Sequence, residues 1–307
     1  MSSEKFSSLE FVKHRKRFFL LSLIVIAAGL ISFSLFGMNT GVDFSAGTTL
    51  DLTIDNESTN KEEATALIAE VSDYDPVVTI GGDESNRVST RFSVELTEEE
   101  RNEIINVFES NFGEGSIDFQ ENTVNPAIAK ELVNKAVIGV LLASVGIVIY
   151  VSIRFEWRFA LAAIISLLHN ALIVIGMFSI FRLQVDVPFI AAVLTVIGYS
   201  INDTIIIFDR IRENLKFAKI RKKEDLEATV NLSIRQTLTR TINTSATTVL
   251  ITVMLLIFGS EAIRLFSLAL VIGLIAGVYS SIFIASQIWL TIKIRDLEKE
   301  QQAAVNA

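Results

Sequence analysis

The 307-residue sequence contains no cysteine and only two histidines, His14 and His169. Disulfides and thiol chemistry are therefore excluded, and a structural zinc site would have to be assembled from two distant imidazoles and carboxylates. No phosphate-cradling loop is present either. Gly81 and Gly82 lack the lysine and following helix that such a loop requires, so they read as a hairpin turn. No cofactor, bound metal or catalytic residue is expected, and the chain does not read as an enzyme.

What is abundant is apolar length. Half of the residues are hydrophobic, mean hydropathy is +0.49, and the apolar residues gather into blocks of about 20, the length that crosses a bilayer. Six spans follow, at residues 18–37, 135–153, 159–181, 187–208, 240–259 and 263–292. The first follows "KHRKR", and Ser32 and Ser34 loosely resemble a cleavage site, but the run is longer than a signal h-region and reads as a retained anchor.

Basic residues orient these spans, because Lys and Arg in short loops stay on the cytoplasmic side. "KHRKR", Arg154 with Arg158, "DRIRENLKFAKIRKK", and Lys293 with Arg295 mark one side, whereas the opposite short loops hold only Arg182 and Arg264. Residues 1–17, a loop at 209–239 and a tail at 293–307 are thus expected in the cytoplasm, and residues 38–134 outside it.

The outer segment reads as β-α-β-β-α-β. Strands are expected in "TTLDLTI", "VVTI", "RVSTRFSVEL" and "GSIDFQE", and helices in "NKEEATALIAEV" and "TEEERNEIINVFESNF". Thr97 and Glu100 have capping-box spacing at the start of the second helix. The order predicts a ferredoxin-like α+β domain. Residues 38–134 hold 21 acidic and 5 basic residues, a net of −16 that outweighs the chain total of −8. Such a surface repels nucleic acid and anionic headgroups. It reads either as a solvated acidic face or as a dock for basic segments of a client polypeptide.

A charge at the bilayer centre costs roughly 2.5 to 3.5 kcal/mol, so an intramembrane carboxylate needs a reason. Asp203 is such a residue. With Tyr199 and Asn202 it is expected to form one polar stripe, and its natural partner is Arg240 at the start of the fifth span. Thr237, Thr241, Thr244 and Thr248 extend that helix's polar face, and His169 beside Asn170 marks the third span. The plainer alternatives are an Asp203 and Arg240 pair that locks two helices, a His169 that hydrogen-bonds across the bundle, and threonines and a Gly273-to-Gly277 spacing that serve packing alone.

Four stretches together resemble a known family. "GYSINDTIIIFDRIREN", "RFEWRFALAAIISLLHN", "GVDFSAGT" directly after the first span, and "TLTRTINTSATT" look like the SecF branch of the SecD/SecF protein-export family, within the RND superfamily. The resemblance implies a polytopic α-helical protein of six transmembrane helices, half of an RND-type pseudosymmetric core, in the bacterial cytoplasmic membrane. It further implies an ion-driven subunit that pairs with SecD, attaches to the SecYEG translocon and uses a gradient of H⁺ or Na⁺ to promote late, ATP-independent export of secreted polypeptides. YajC- and YidC-type proteins are further candidate partners, as are membrane lipids; nucleic acid is not.

By motif, Asp203 matches the family's coupling aspartate and Arg240 its functional arginine. Two positions depart from the pattern. Asn170 stands where the family commonly has Asp, and Ala46 stands first in a Gly-Gly pair. The competing functions are half of an RND-type small-molecule or lipid exporter, and a non-coupling scaffold at the translocon.

Overall fold

The computed structural model describes residues 10–55, 58–81 and 86–306. The expectations for residues 1–9 and for Gly82 in the hairpin turn lie outside these. In chain order the elements are α1 (Arg15–Phe36), β1 (Gly47–Ile54), α2 (Lys61–Ala69), β2 (Val77–Gly81), β3 (Arg87–Phe92), α3 (Glu98–Phe112), β4 (Ile117–Val124), α4 (Pro126–Arg154), α5 (Trp157–Ile180), α6 (Val187–Phe217), α7 (Lys223–Phe258), α8 (Glu261–Ser280) and α9 (Ser286–Asn306). A π-helical turn, Ser281–Ala285, joins α8 to α9. Two units separate by their packing: residues 40–138, and residues 1–39 with 139–307.

The first unit is a four-stranded sheet of order β2-β3-β1-β4, antiparallel throughout. With its two helices this is the split β-α-β arrangement of a ferredoxin-like domain. Leu50, Leu52 and Ile54 alternate with Thr49, Asp51 and Thr53 along β1, so one face of the strand is buried under α2 and α3. There they meet Ile68, Val88, Phe92, Ile104 and Phe108, all at most 1% exposed. Burying each such side chain contributes roughly 1.5 to 3 kcal/mol.

At the start of α3 the Glu100 amide donates to Thr97 Oγ1 at 3.3 Å, and the Thr97 amide donates to Glu100 Oε2 at 2.8 Å. The Thr97 amide, with the Thr97 hydroxyl donating to the same oxygen at 2.9 Å, holds the Glu100 carboxyl below the usual glutamate range. Strand β3 stops at Phe92, short of the expected "RVSTRFSVEL". Beyond that point the Leu96 amide donates to the Thr48 hydroxyl at 3.0 Å and leaves the ladder.

The entry to β1 is tight. A Cβ on Gly47 would lie 2.1 Å from the Phe92 carbonyl oxygen, and the residue has φ of 111°. Ala46, beside it, has φ of 65°. A non-glycine residue in this region costs on the order of 1 to 3 kcal/mol, so the departure from a Gly-Gly pair leaves local strain.

The second unit is helical. Among the described residues six helices are long and apolar enough to span a bilayer: α1, α4, α5, α6, α7 and the continuous α8–α9 rod. The chain is a multi-pass membrane protein. Spans α5, α6 and α8–α9 bury much of their surface within the chain, whereas α1, α4 and α7 leave broad apolar faces exposed. At the basic end Phe159 stacks on Trp289 and tilts against Phe208, with ring centroids 4.8 and 4.9 Å apart.

Helix α1 crosses α5 where Gly29 meets Gly176. A Cβ on Gly29 would fall 2.5 Å from the Gly176 Cα. Around that crossing Ser179 Oγ donates to Ser32 Oγ at 3.1 Å, and Tyr279 donates to the Phe18 carbonyl at 2.7 Å while accepting from Ser22 Oγ at 3.1 Å. The guanidinium of Arg182 donates to the Phe36 and Gly37 carbonyls at 2.8 and 2.9 Å, closing the C-terminus of α1.

Several helices overrun the apolar blocks. The segment 209–239, expected as a loop, is non-helical only at 218–222, because Asp209 pairs with Arg212 and Arg210 with Glu213 at helical spacing. Asp225 then accepts from the amides of Arg221 and Lys222, which starts α7. The tail continues as α9 to Asn306, held by Arg158 and Asp296 at 2.5 Å. Helix α4 begins at Pro126 rather than near 135, with the Asn125 side chain accepting from the Ala127 amide.

Candidate functional site

Asp203 sits on α6 with the side chain 1% exposed. Its Oδ2 accepts from Ser245 Oγ on α7 at 2.9 Å, and its Oδ1 has no hydrogen-bond partner. Among the described residues no cation lies within the 4 Å that defines an ion pair with Asp203.

Helical periodicity accounts for the company Asp203 keeps. Tyr199, one turn before it, donates its hydroxyl to the Thr244 carbonyl at 3.1 Å and meets Thr248 Oγ1 at 2.7 Å. On the facing helix Thr241 and Ser245 are one turn apart, both buried, and Thr241 Oγ1 also has no partner. Thr237, a further turn along, returns its hydroxyl to the Ser233 and Ile234 carbonyls. Tyr199, Asp203, Thr237, Thr241, Thr244 and Thr248 thus share the α6/α7 seam.

Two residues expected beside Asp203 lie elsewhere. Asn202 is exposed, because one residue along a helix turns a side chain by about 100°. The expected stripe therefore consists of Tyr199 and Asp203 without Asn202. Arg240 is exposed too. It stands five residues from Ser245, which places it roughly 140° around α7 from the Asp203 contact. The expected direct pair is replaced by a hydroxyl-to-carboxylate bond.

An adjoining face of α6 carries a second polar line. His169 Nδ1 lies 3.2 Å from Asn170 Oδ1, Asn170 Nδ2 donates to Ser200 Oγ at 2.6 Å, and Thr204 Oγ1 lies 2.9 Å from Ser281 Oγ in the π turn. The His169 ring stacks on Tyr279 at 6.0 Å, and its Nε2 has no partner. Gly277 admits this line: a Cβ there would lie 3.1 Å from the Ser200 Cβ, so the backbone of α8 packs directly on α6. His169 and Asn170 thus reach α6 at Ser200, one turn from Asp203, without a hydrogen bond to the carboxylate itself.

Ser245, Ser200, Thr204 and Ser281 are the participants that the sequence reading missed. A serine within "TINTSATT" is indistinguishable from ordinary helix-packing hydroxyls until its partner is known. At the basic end, by contrast, Asp209 is held by Arg154 at 2.9 Å and by Arg212 at 3.0 Å.

A carboxylate buried among hydroxyls, with one oxygen unmatched, is able to take up a small cation and release it. No metal-holding cluster of three or more His, Cys, Asp or Glu occurs among the described residues.

Comparison with known proteins gives consistent relationships. The family profile described as "Protein export membrane protein SecD/SecF, C-terminal" matches residues 105–295. Protein translocase subunit SecF of Alicyclobacillus acidocaldarius is 42% identical over 292 residues, 94% of each chain. Protein translocase subunit SecDF of Bacillus subtilis is 45% identical over 96% of this chain, which spans only 40% of that protein. The crystal structure of SecDF from Thermus thermophilus, described as a translocon-associated membrane protein, superposes with a TM-score of 0.82 at 33% identity, covering 93% of this chain and 38% of the larger one.

Proposed function

The chain belongs to the SecD/SecF family of protein-export membrane proteins, and from that premise we propose that it is the SecF-type subunit of an ion-driven accessory motor for the Sec translocon. SecD is its partner. The SecDF relatives carry a longer chain of which this protein matches 38% to 40%, which supports a second half of SecD type completing a pseudosymmetric core. The SecYEG translocon, accessory proteins of the YajC and YidC type, secreted polypeptides and membrane lipids complete the set. Both termini face the cytoplasm and residues 38–134 the exterior, as the basic loops argue.

One observation carries the coupling role: Asp203 is buried at mid-helix with a serine hydroxyl as donor and no cation in contact. A charge so placed has no direct ion-pair partner among the described residues, which supports a counter-ion, H⁺ or Na⁺, supplied from outside the bundle. Occupancy changes what the α6/α7 seam has to solvate, so binding and release repack Asp203 against Ser245 and shift those helices. Moving one charge through 100 mV supplies about 2.3 kcal/mol, enough to bias such a rearrangement without ATP. Arg240, near the seam but outside it, contributes a long-range field that favours release of the cation.

The test replaces Asp203 with Asn in the SecD-bound complex and measures gradient-dependent release of a secreted protein. Loss of release with normal assembly is expected. Retained release would assign Asp203 to helix packing and sink the coupling role. Repeating the assay with sodium at a fixed proton gradient identifies the ion.

A further inference from the structure

The four-stranded sheet of the α+β domain ends on two unequal edges. At one, β2 is five residues long; at the other, β4 is eight residues long and pairs one to one with β1 from Val124 opposite Gly47 to Ile117 opposite Ile54. Nothing among the described residues pairs with the outer side of β4. Residues 118–123 are all exposed.

Ladder alternation identifies the free groups. The Asp55 amide donates to the Ser116 carbonyl at 2.9 Å, which makes that pair a hydrogen-bonded one, so every second residue after Ser116, namely Asp118, Gln120 and Asn122, turns its backbone groups toward β1. The amides and carbonyls of Phe119, Glu121 and Thr123 therefore point away from the sheet. Glu121 shows the result. Its side chain is held by Arg101 at 3.0 Å and is only 24% exposed, yet the residue as a whole is exposed, so much of its bare surface is backbone.

Proteins protect such edges with lysine, proline, a bulge or a covering segment. The sequence "IDFQENTV" has no lysine or proline, its register with β1 has no bulge, and no described element covers it. Its charges are carboxylates, Asp118 and Glu121, in a segment, residues 38–134, whose net charge is −16. That field repels a second copy of the domain and attracts a cationic strand. Along one face of β4 Phe119 is 41% exposed, with the Arg101 guanidinium 5.7 Å from its ring centre; along the other stand Asp118, Gln120 and Asn122.

We propose that the free edge of β4 docks an extended, lysine- or arginine-bearing segment of the exported polypeptide as a fifth strand of the sheet. Backbone hydrogen bonds carry the affinity, so recognition is indifferent to most of the client sequence. The two faces add a preference for an apolar residue beside Phe119 and a basic one beside Asp118. The identity of the occupant rests on the export function proposed above.

The test uses the SecD-bound complex without an ion gradient and a fluorescent peptide of eight residues, the length of β4, that alternates apolar residues with lysine. Phe119→Pro removes an outward amide and leaves the ladder with β1 in place, whereas Phe119→Ala removes only the ring. The first should weaken binding about tenfold and the second about two- to threefold. Equal affinities for these two variants overturn the edge as the binding element. Asp118→Asn should weaken binding about threefold and flatten its salt dependence, and a peptide with glutamate in place of lysine should not bind. Equal binding of both peptides overturns the cationic occupant, and failure of the unmodified complex to bind the lysine peptide overturns the proposal outright.

Should Phe119→Pro not assemble, Gln120→Cys supplies the sole thiol of the chain, in complex with a cysteine-free partner. It is cross-linked to peptides that carry cysteine at successive positions. Strand addition requires yields that alternate with period two, and a flat profile overturns it. These equilibrium measurements need no gradient, so they stand or fall separately from the Asp203 release assay.

Discussion

Two carboxylates six residues apart on α6 are treated in opposite ways. Asp209 is half-exposed and gripped by Arg154 and Arg212. Asp203, at 1% exposure, has one serine hydroxyl and an unmatched oxygen. Pairing is thus supplied where water would have sufficed and withheld where the charge is most costly. A packing role would reverse that allocation, since an unpaired buried charge destabilises by several kcal/mol and a partnered one by far less. The difference marks Asp209 as a fastener, and it is the contrast on which the proposed coupling role of Asp203 rests.

The contrast makes graded predictions. Asp203→Asn should lower gradient-dependent release by about tenfold or more, equivalent to roughly 1.4 kcal/mol of lost coupling or above, with complex yield unchanged. Arg240→Met should come next, at about fivefold in the same assay, because its charge acts through space and not through a bond to Asp203. A normal rate for Arg240→Met would show that Asp203 works without it. Ser245→Ala removes the hydroxyl donor and should slow release about two- to threefold while changing which ion concentration half-saturates the motor; an unchanged half-saturation would break the link between the seam and the ion. Asp209→Asn should leave release intact and cost under about 1 kcal/mol in thermal stability, since both pairs at that end are more than a third exposed. A large loss of release there would erase the contrast altogether.

The spans and the α+β domain were legible because both signals are periodic and local. Blocks of about 20 apolar residues specify spanning helices, and alternation in "TTLDLTI" specifies a half-buried strand. Their ends were not, because the basic loop at 209–239 is helical on the strength of i,i+3 ion pairs and an aspartate cap, which polarity alone conceals. At the candidate site Asp203 stood out by charge, and Tyr199 and Thr241 by spacing. Asn202 was assigned to the wrong face because a stripe read over four residues is insensitive to a 100° turn, whereas Arg240 makes no direct ion pair with Asp203 among the described residues. Ser245 and Ser281 gave no signal. Their importance comes from partners, or the lack of them, on helices distant in sequence.

The crossing of Gly29 over Gly176 has a mechanical meaning. Two backbones touch there without an intervening side chain, so the junction has no rotamers to rearrange and no interlocked ridges to climb over when one helix rotates against the other. It acts as a pin between α1 and α5: separation is fixed at backbone contact, and the Ser179 to Ser32 bond beside it ties the two helices. Even one methyl group would convert the pin into a wedge and splay the first span from the third.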